Sequence, residues 1–250
     1  MNAGSPVLVI TGAARGIGAA TARLAVQRGY TVCINFRTAQ AEAQALAAEI
    51  ERAGGQAVAV QADVSHEDQA VALFEAADRL GRLGGLVNNA GILERQGALL
   101  DMDAARITRI LATNVVGLMV CAREAVRRMS TRDGGDGGAI VNVSSAATHT
   151  GSPGEYVDYA ASKGAVDTFT RGLAAEVASQ GIRVNAVRPG FIHTDIHALG
   201  GEPNRIDRLR SVIPLGRGGT PAEVASAIVW LLSSDASYCT GSILDVAGGR

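Results

Sequence analysis

The chain has 250 residues, 47% of them hydrophobic and 19% charged, with a formal net charge of −1, a composition that fits a packed globular protein and offers no basic run for nucleic acid. The polar start Met1–Pro6 lacks the basic and apolar regions of a signal peptide, and no uninterrupted apolar run approaches the roughly 20 residues of a membrane span. Cys33, Cys121 and Cys239 lie far apart without a CxxC pair, so they are expected as buried small hydrophobes in a reducing cytoplasm.

Short apolar runs alternate with amphipathic stretches from end to end. Strands are expected at Val7–Thr11, Thr31–Asn35, Ala57–Gln61, Gly85–Asn88, Ala139–Val143, Arg183–Arg188 and Ser242–Val246. Their apolar positions are contiguous rather than alternating, as in strands covered on both faces. Helices are expected at Gly16–Gln27, Ala39–Ala53, Glu67–Leu80, Met102–Ser130, Tyr156–Ser179 and Pro221–Leu232. No linker divides them, and the glycine-rich Asp133–Gly138 reads as a mobile loop. The expectation is one α/β domain over residues 1–250, a Rossmann-type doubly wound parallel sheet of about seven strands with helices on both faces.

Between the first strand and the first helix stands Thr11-Gly12-Ala13-Ala14-Arg15-Gly16-Ile17-Gly18. A glycine-rich turn here lets backbone approach a pyrophosphate at the helix N-terminus. Gly12 permits the tight turn, Gly16 the close approach and Gly18 the packing of helix on strand. The second strand ends Cys33-Ile34-Asn35-Phe36-Arg37, with neutral Asn35 where an acid would accept from the ribose 2′-hydroxyl of NAD. Arg37 and Arg15 suit a 2′-phosphate, although both could be solvated surface charges. NADP(H) is therefore expected, with NAD(H) as the alternative.

Further along come Asp63-Val64, which could cap the following helix, and Asn88-Asn89-Ala90-Gly91, which could be turn chemistry. Asn114 sits inside a predicted helix, where asparagine is a mediocre choice. Ser145 follows the strand ending at Val143, with Ser144 as its rival. Tyr159 and Lys163 are four apart on a predicted helix and share a face. A free phenol titrates near pH ~10, and a neighbouring ammonium is expected to bring it down. Tyr156 has only Ala160 at the same spacing. Pro189-Gly190 closes the sixth strand, and the His193-Thr194-Asp195-Ile196-His197 that follows falls in a flexible segment without a further acid or cysteine motif, so no metal is expected.

The spacing GxxxGxG, with the later motifs in the same order, resembles the short-chain dehydrogenase/reductase superfamily, its glucose-dehydrogenase-like and 3-oxoacyl-reductase-like branch. The resemblance runs from Val7 to the C-terminus. It implies an oxidoreductase acting on a small carbonyl or alcohol with a nicotinamide cofactor. Tyr159 would be the proton donor, Ser145 the residue orienting substrate oxygen, and Lys163 the residue tuning Tyr159 and holding ribose. Asn114 would hold a water beside Lys163. Asp63 would meet the adenine and Val64 supply a backbone contact, while Asn89, Ala90 and Gly91 lie under the ribose, Asn89 mainly holding the strand. Ile17 belongs to the phosphate turn, and Ile192 and Thr194 would meet the carboxamide. Fourteen residues separate Ser145 from Tyr159, slightly more than the family's usual spacing, which implies an insertion within Ala146–Asp158. Substrate choice would fall to Leu93–Gly97, Ala146–Asp158 and a partly mobile lid at His193–Ser211. The apolar excess of the two long helices implies a homo-oligomer, a tetramer by resemblance. The rival readings are an NAD(H)-dependent sugar or alcohol dehydrogenase and a non-catalytic dinucleotide sensor.

Overall fold

The computed structural model describes residues 4–195 and 200–250. Seven strands form one parallel sheet: β1 (Val7–Ile10), β2 (Thr31–Phe36), β3 (Ala57–Gln61), β4 (Leu83–Asn88), β5 (Gly138–Val143), β6 (Ile182–Pro189) and β7 (Ile243–Val246). Their order is β3-β2-β1-β4-β5-β6-β7. Side chains of successive strand residues point to opposite faces, and here both faces are apolar. Leu8, Ile10, Val32 and Ile34 pack with α1 (Gly16–Gln27), α2 (Gln40–Arg52) and a late helix over Pro221–Leu232. Val7, Val9, Cys33 and Leu86 pack on the other side with α3 (Glu67–Asp78) and two further helices described next. This double cover is why the strands carry continuous apolar runs.

The expected helix Met102–Ser130 is three pieces: α4 (Ala104–Leu111), a π-helical turn over Ala112–Gly117, and α5 (Leu118–Met129). The stretch 104–129 is long and apolar enough, by length and composition, to cross a bilayer, which no single uninterrupted run suggested. In this fold the buried residues of α5 instead lie on β4 and α3. A Cβ at Gly117 would stand 2.5 Å from the Val64 carbonyl oxygen, so the glycine lets the π-turn touch the end of β3's connection. The chain then runs through α6 (Ala147–Thr150), α7 (Val157–Val177), α8 (Arg205–Leu209) and α9 (Pro221–Leu232). A capping box of Thr220 and Glu223 starts α9.

The glycines of Asp133–Gly138 do connect α5 to β5 as a loop, held by backbone contacts: Gly135 and Gly137 donate to the Ser130 and Met129 carbonyls, and a Cβ at Gly135 would collide with Met129 backbone. They are glycines because the chain doubles back on itself. Of the cysteines, Cys33 and Cys121 are buried and burial pushes both thiols up to about 12, but Cys239 is only half-buried.

Because β1 has β2 on one side and β4 on the other, successive crossovers leave in opposite directions from its C-terminal end. That is the switch point of an open α/β sheet, where a crevice opens.

Candidate active site

At this point a cleft of about 700 Å³ is lined by Gly12, Arg15, Gly16, Ile17, Asn35, Arg37, Asp63, Val64, Asn89, Ala90, Gly91, Ser145, Tyr159, Lys163, Pro189, Gly190, Ile192 and Thr194. Gly18 and Asn114 stand just behind its wall. Gly12 and Gly16 have φ of 60° and 56°, where a side chain is strained. A Cβ at Gly16 would also come within 3.2 Å of the Thr194 methyl. Arg15 is the N-cap of α1 and makes no side-chain cap bond, so first-turn amides of α1 remain available to an anion.

Two asparagines hold this turn from behind. Gly12 N–H donates to Asn35 Oδ1 at 3.1 Å, and Asn35 Nδ2 donates to the Ala62 carbonyl at 2.9 Å. Asn89 Nδ2 donates to the carbonyls of Thr11 and Gly12 at 2.9 and 2.8 Å. Asn35 is 2% exposed, and its amide is committed on both ends. It is therefore a brace for the turn rather than a ribose contact, which corrects the reading of Asn35 as the cofactor-discriminating position. The strand continues one residue further, and Arg37 beyond it reaches the mouth. Arg37 is 3.9 Å from Asp63 and Arg15 is 3.5 Å from Asp195. Asp63 closes a turn on Ser65, accepting from its amide and hydroxyl; α3 begins later, at His66 as N-cap. Burial would raise the Asp63 carboxyl, but Ser65 and Arg37 bring it below its ordinary value.

On the opposite wall, Tyr159 and Lys163 lie one turn apart on α7. Lys163 Nζ donates to the Val143 carbonyl at 2.8 Å and sits 5.6 Å from the Tyr159 ring centre. Burial pushes its ammonium down to about 8, against the opposing pull of Asp167. The Tyr159 phenol is raised, not lowered: burial outweighs its hydrogen bond with Ser145. The expected depression by Lys163 does not offset that burial; the lysine's Nζ donates to Val143 instead. The two serines separate clearly. Ser145 faces the cleft and bonds Tyr159, while Ser144 is buried and donates to the Lys163 carbonyl at 3.3 Å.

Asn114 is fully buried in the π-turn, a distortion that recurs at functional sites. It accepts from Ile92 N–H at 2.8 Å and donates to the Ile92 carbonyl and Ser162 Oγ at 3.0 and 3.1 Å. It thus pins the chain after β4, where a Cβ at Gly91 would stand 3.4 Å from both Asn114 Oδ1 and Lys163 Nζ.

The mouth holds residues that sequence reasoning missed. The buried Arg205 of α8 pairs with Glu155 and Glu202, and Gln96 also donates to Glu202 at 2.6 Å. The three segments expected to govern substrate choice therefore meet in one network. No local pattern marks Arg205, since its partners lie 3 and 50 residues away. Tyr156 stacks on Arg205 and its hydroxyl donates to the Gly200 carbonyl. In the histidine-containing stretch set aside above, His193 packs on Gly218; Ile196 and His197 lie outside the described residues.

A family model described as enoyl-(acyl carrier protein) reductase matches residues 12–250. An uncharacterized oxidoreductase of Escherichia coli (strain K12), YgfF, is 58% identical over 98% of this chain and 99% of its own length. The 3-oxoacyl-(acyl-carrier-protein) reductase of Synechocystis sp. is 39% identical over 97% and 96%. A crystal structure of 3-ketoacyl-(acyl-carrier-protein) reductase from Brucella melitensis, complexed with NADH, superposes with a TM-score of 0.90 at 34% identity, covering 99% of this chain and 98% of that one.

The burial of Lys163 has a measurable consequence. Its amine is charged below about pH 8 and neutral above. Removing the opposing carboxylate in Asp167→Asn lowers the midpoint further. Carbon-13 NMR of the lysine ε-methylene reads both, and a midpoint at the ordinary lysine value of ~10.4 would refute the desolvated site.

Proposed function

The chain belongs to the short-chain dehydrogenase/reductase superfamily of oxidoreductases, and on that premise we propose that it reduces a carbonyl to a secondary alcohol with NADP(H), through Tyr159, Ser145, Lys163 and Asn114. The observation that carries this reading is the contact of Tyr159 with Ser145 on the cleft wall, with Lys163 one turn behind.

A bound nicotinamide supplies the hydride. The uncapped start of α1 and its glycines fit a dinucleotide pyrophosphate, because a Cβ at Gly16 would occupy the approach. Ser145 donates a hydrogen bond to the substrate oxygen and stabilises the charge that develops on it. Tyr159 gives that oxygen its proton. A phenol raised by burial is protonated at neutral pH, which suits the reducing direction. Lys163, charged below about pH 8, stands behind the phenol and holds the ribose hydroxyls. Asn114 fixes the Ile92 backbone beside Lys163 and supports proton resupply.

Arg37 and Arg15 at the mouth favour a 2′-phosphate. NAD(H) remains the second reading, since both arginines already face a carboxylate and the Brucella reductase was crystallised with NADH. Assembly is proposed from two separate apolar surfaces. On α7, a Cβ at Gly164 or Gly172 would meet nothing within 4 Å, and Leu111, Val116 and Met119 are exposed on the stretch from α4 to α5. Trp230, Tyr238 and Leu244 are exposed beside the β7 edge. Two self-complementary faces generate a tetramer of dihedral symmetry.

Tyr159→Phe keeps the ring but removes the proton, so turnover falls by at least ~10² while NADPH affinity holds. Lys163→Ala weakens cofactor binding as well. Tyr156→Phe loses the hydroxyl's bonds to Gly200 and Gln96 and keeps turnover within about tenfold. Steady-state kinetics with fluorescence titration separates the three, and near-normal turnover in Tyr159→Phe sinks the assignment. For the cofactor, NADPH binds at least about tenfold tighter than NADH, a gap of ~1.4 kcal/mol that Arg37→Ala narrows; equal affinities in the unmodified protein favour NAD(H). Asn35→Asp, by contrast, sets a carboxylate against the Ala62 carbonyl and lowers stability. Light scattering gives a mass near four chains, and a monomer at micromolar concentration overturns the assembly.

A further inference from the structure

The arginines lining the cleft are paired with carboxylates of the protein, with one exception. Arg15 stands 3.5 Å from Asp195, Arg37 3.9 Å from Asp63 and Arg205 2.5 Å from Glu155. Arg250 lines the same cleft, and no carboxylate side chain among the described residues is at ion-pair distance from it. The residues outside that description contain neither Asp nor Glu.

The position of Arg250 is defined by stacking. Its guanidinium carbon lies 4.9 Å from the centre of the Phe191 ring, and that of Arg205 lies 5.6 Å from the same ring and 5.1 Å from the Tyr156 ring. Phe191 follows Pro189-Gly190, on the wall shared with the reacting groups. A guanidinium held against an aromatic ring keeps its in-plane N–H donors for an anion, and their fork matches a carboxylate. Arg205 is already compensated, by its ion pairs with Glu155 and Glu202. Two cations thus flank one ring while only one of them is compensated. The uncompensated one opens onto the substrate half of the cleft.

We propose that Arg250 binds a carboxylate of the substrate, so that the preferred substrates are oxo acids and the products hydroxy acids. This rests on the carbonyl-reductase reading of the same cleft. The carboxylate undergoes no bond change; the carbonyl carbon takes the hydride, the oxygen takes the proton, and the ion pair fixes the carbon between them.

The test compares levulinate and its next two homologues, each against its methyl ester, with NADPH and with NADH. In the unmodified protein the best-fitting acid exceeds its ester in kcat/KM by at least about tenfold, ~1.4 kcal/mol. Arg250→Met erases that preference through KM for the acid, and Arg250→Lys keeps part of it. Esters turned over as well as acids, or a preference that survives in Arg250→Met, overturns the inference and leaves the reductase reading standing. If neither series is turned over with either cofactor, reduction of such ketones is excluded. Thermal-shift titration then decides the anion site: stabilisation by the acids that Arg250→Met abolishes upholds it, and none overturns it.

Discussion

The site depends first on a backbone problem solved by two side-chain amides. A turn tight enough to admit a pyrophosphate puts Gly12 and Gly16 at positive φ and leaves peptide groups without regular partners. Asn35 and Asn89 supply those partners from β2 and from the end of β4, and Thr11 adds its hydroxyl to the amides of Asn89 and Ala90. The C-terminal ends of β1, β2 and β4 are thereby fixed to one another. Every other element of the cleft is placed relative to that junction.

Burial then sets the chemistry, and it acts in opposite directions on two neighbours. It disfavours the charged form of each, so the Tyr159 phenol rises and the Lys163 ammonium falls. Their titrations therefore move apart, and the amine gives up its proton at a lower pH than the phenol. The pair is built less as a depressed phenol than as a proton-bearing acid beside a cation of adjustable charge. Asp167 opposes the loss of that charge and is itself held by Arg188 at 2.7 Å.

The mouth follows a different logic. Glu155, Arg205 and Glu202 join the segment before α7 to α8, and Arg106 forms a buried pair with Asp158, 2.7 Å away, while donating to the Arg95 carbonyl. Asp158 in turn accepts from the Tyr159 amide. Charge pairs with little water around them therefore run from the substrate loops to the residue beside the phenol, and losing one partner of such a pair is costly.

What the sequence determined by itself was whatever is local or periodic. Apolar runs of strand length separated by helical stretches imply the parallel sheet, the glycine spacing implies the turn, and four residues between Tyr159 and Lys163 imply a shared face. Those properties belong to a few consecutive residues. What only the tertiary structure decided depends on side-chain direction and on contacts between distant segments. Asn35 shares its face of β2 with Cys33 and turns inward, so a residue apparently at the mouth is a brace, while Arg37 beyond the strand is the one that reaches out. The helix through Asn114 gains a π-turn because it must meet Val64 and Ile92, and neither is visible from its own heptads. Ser145 parts from Ser144 because only one of two consecutive residues leaving β5 can face the cleft. The glycines after Ser130 are tied by backbone contacts that composition does not reveal. The stack of Tyr156, Arg205, Phe191 and Arg250 draws on four segments, and no spacing in the chain encodes it, because ring–cation contacts are made only after the sheet has brought those segments to one end.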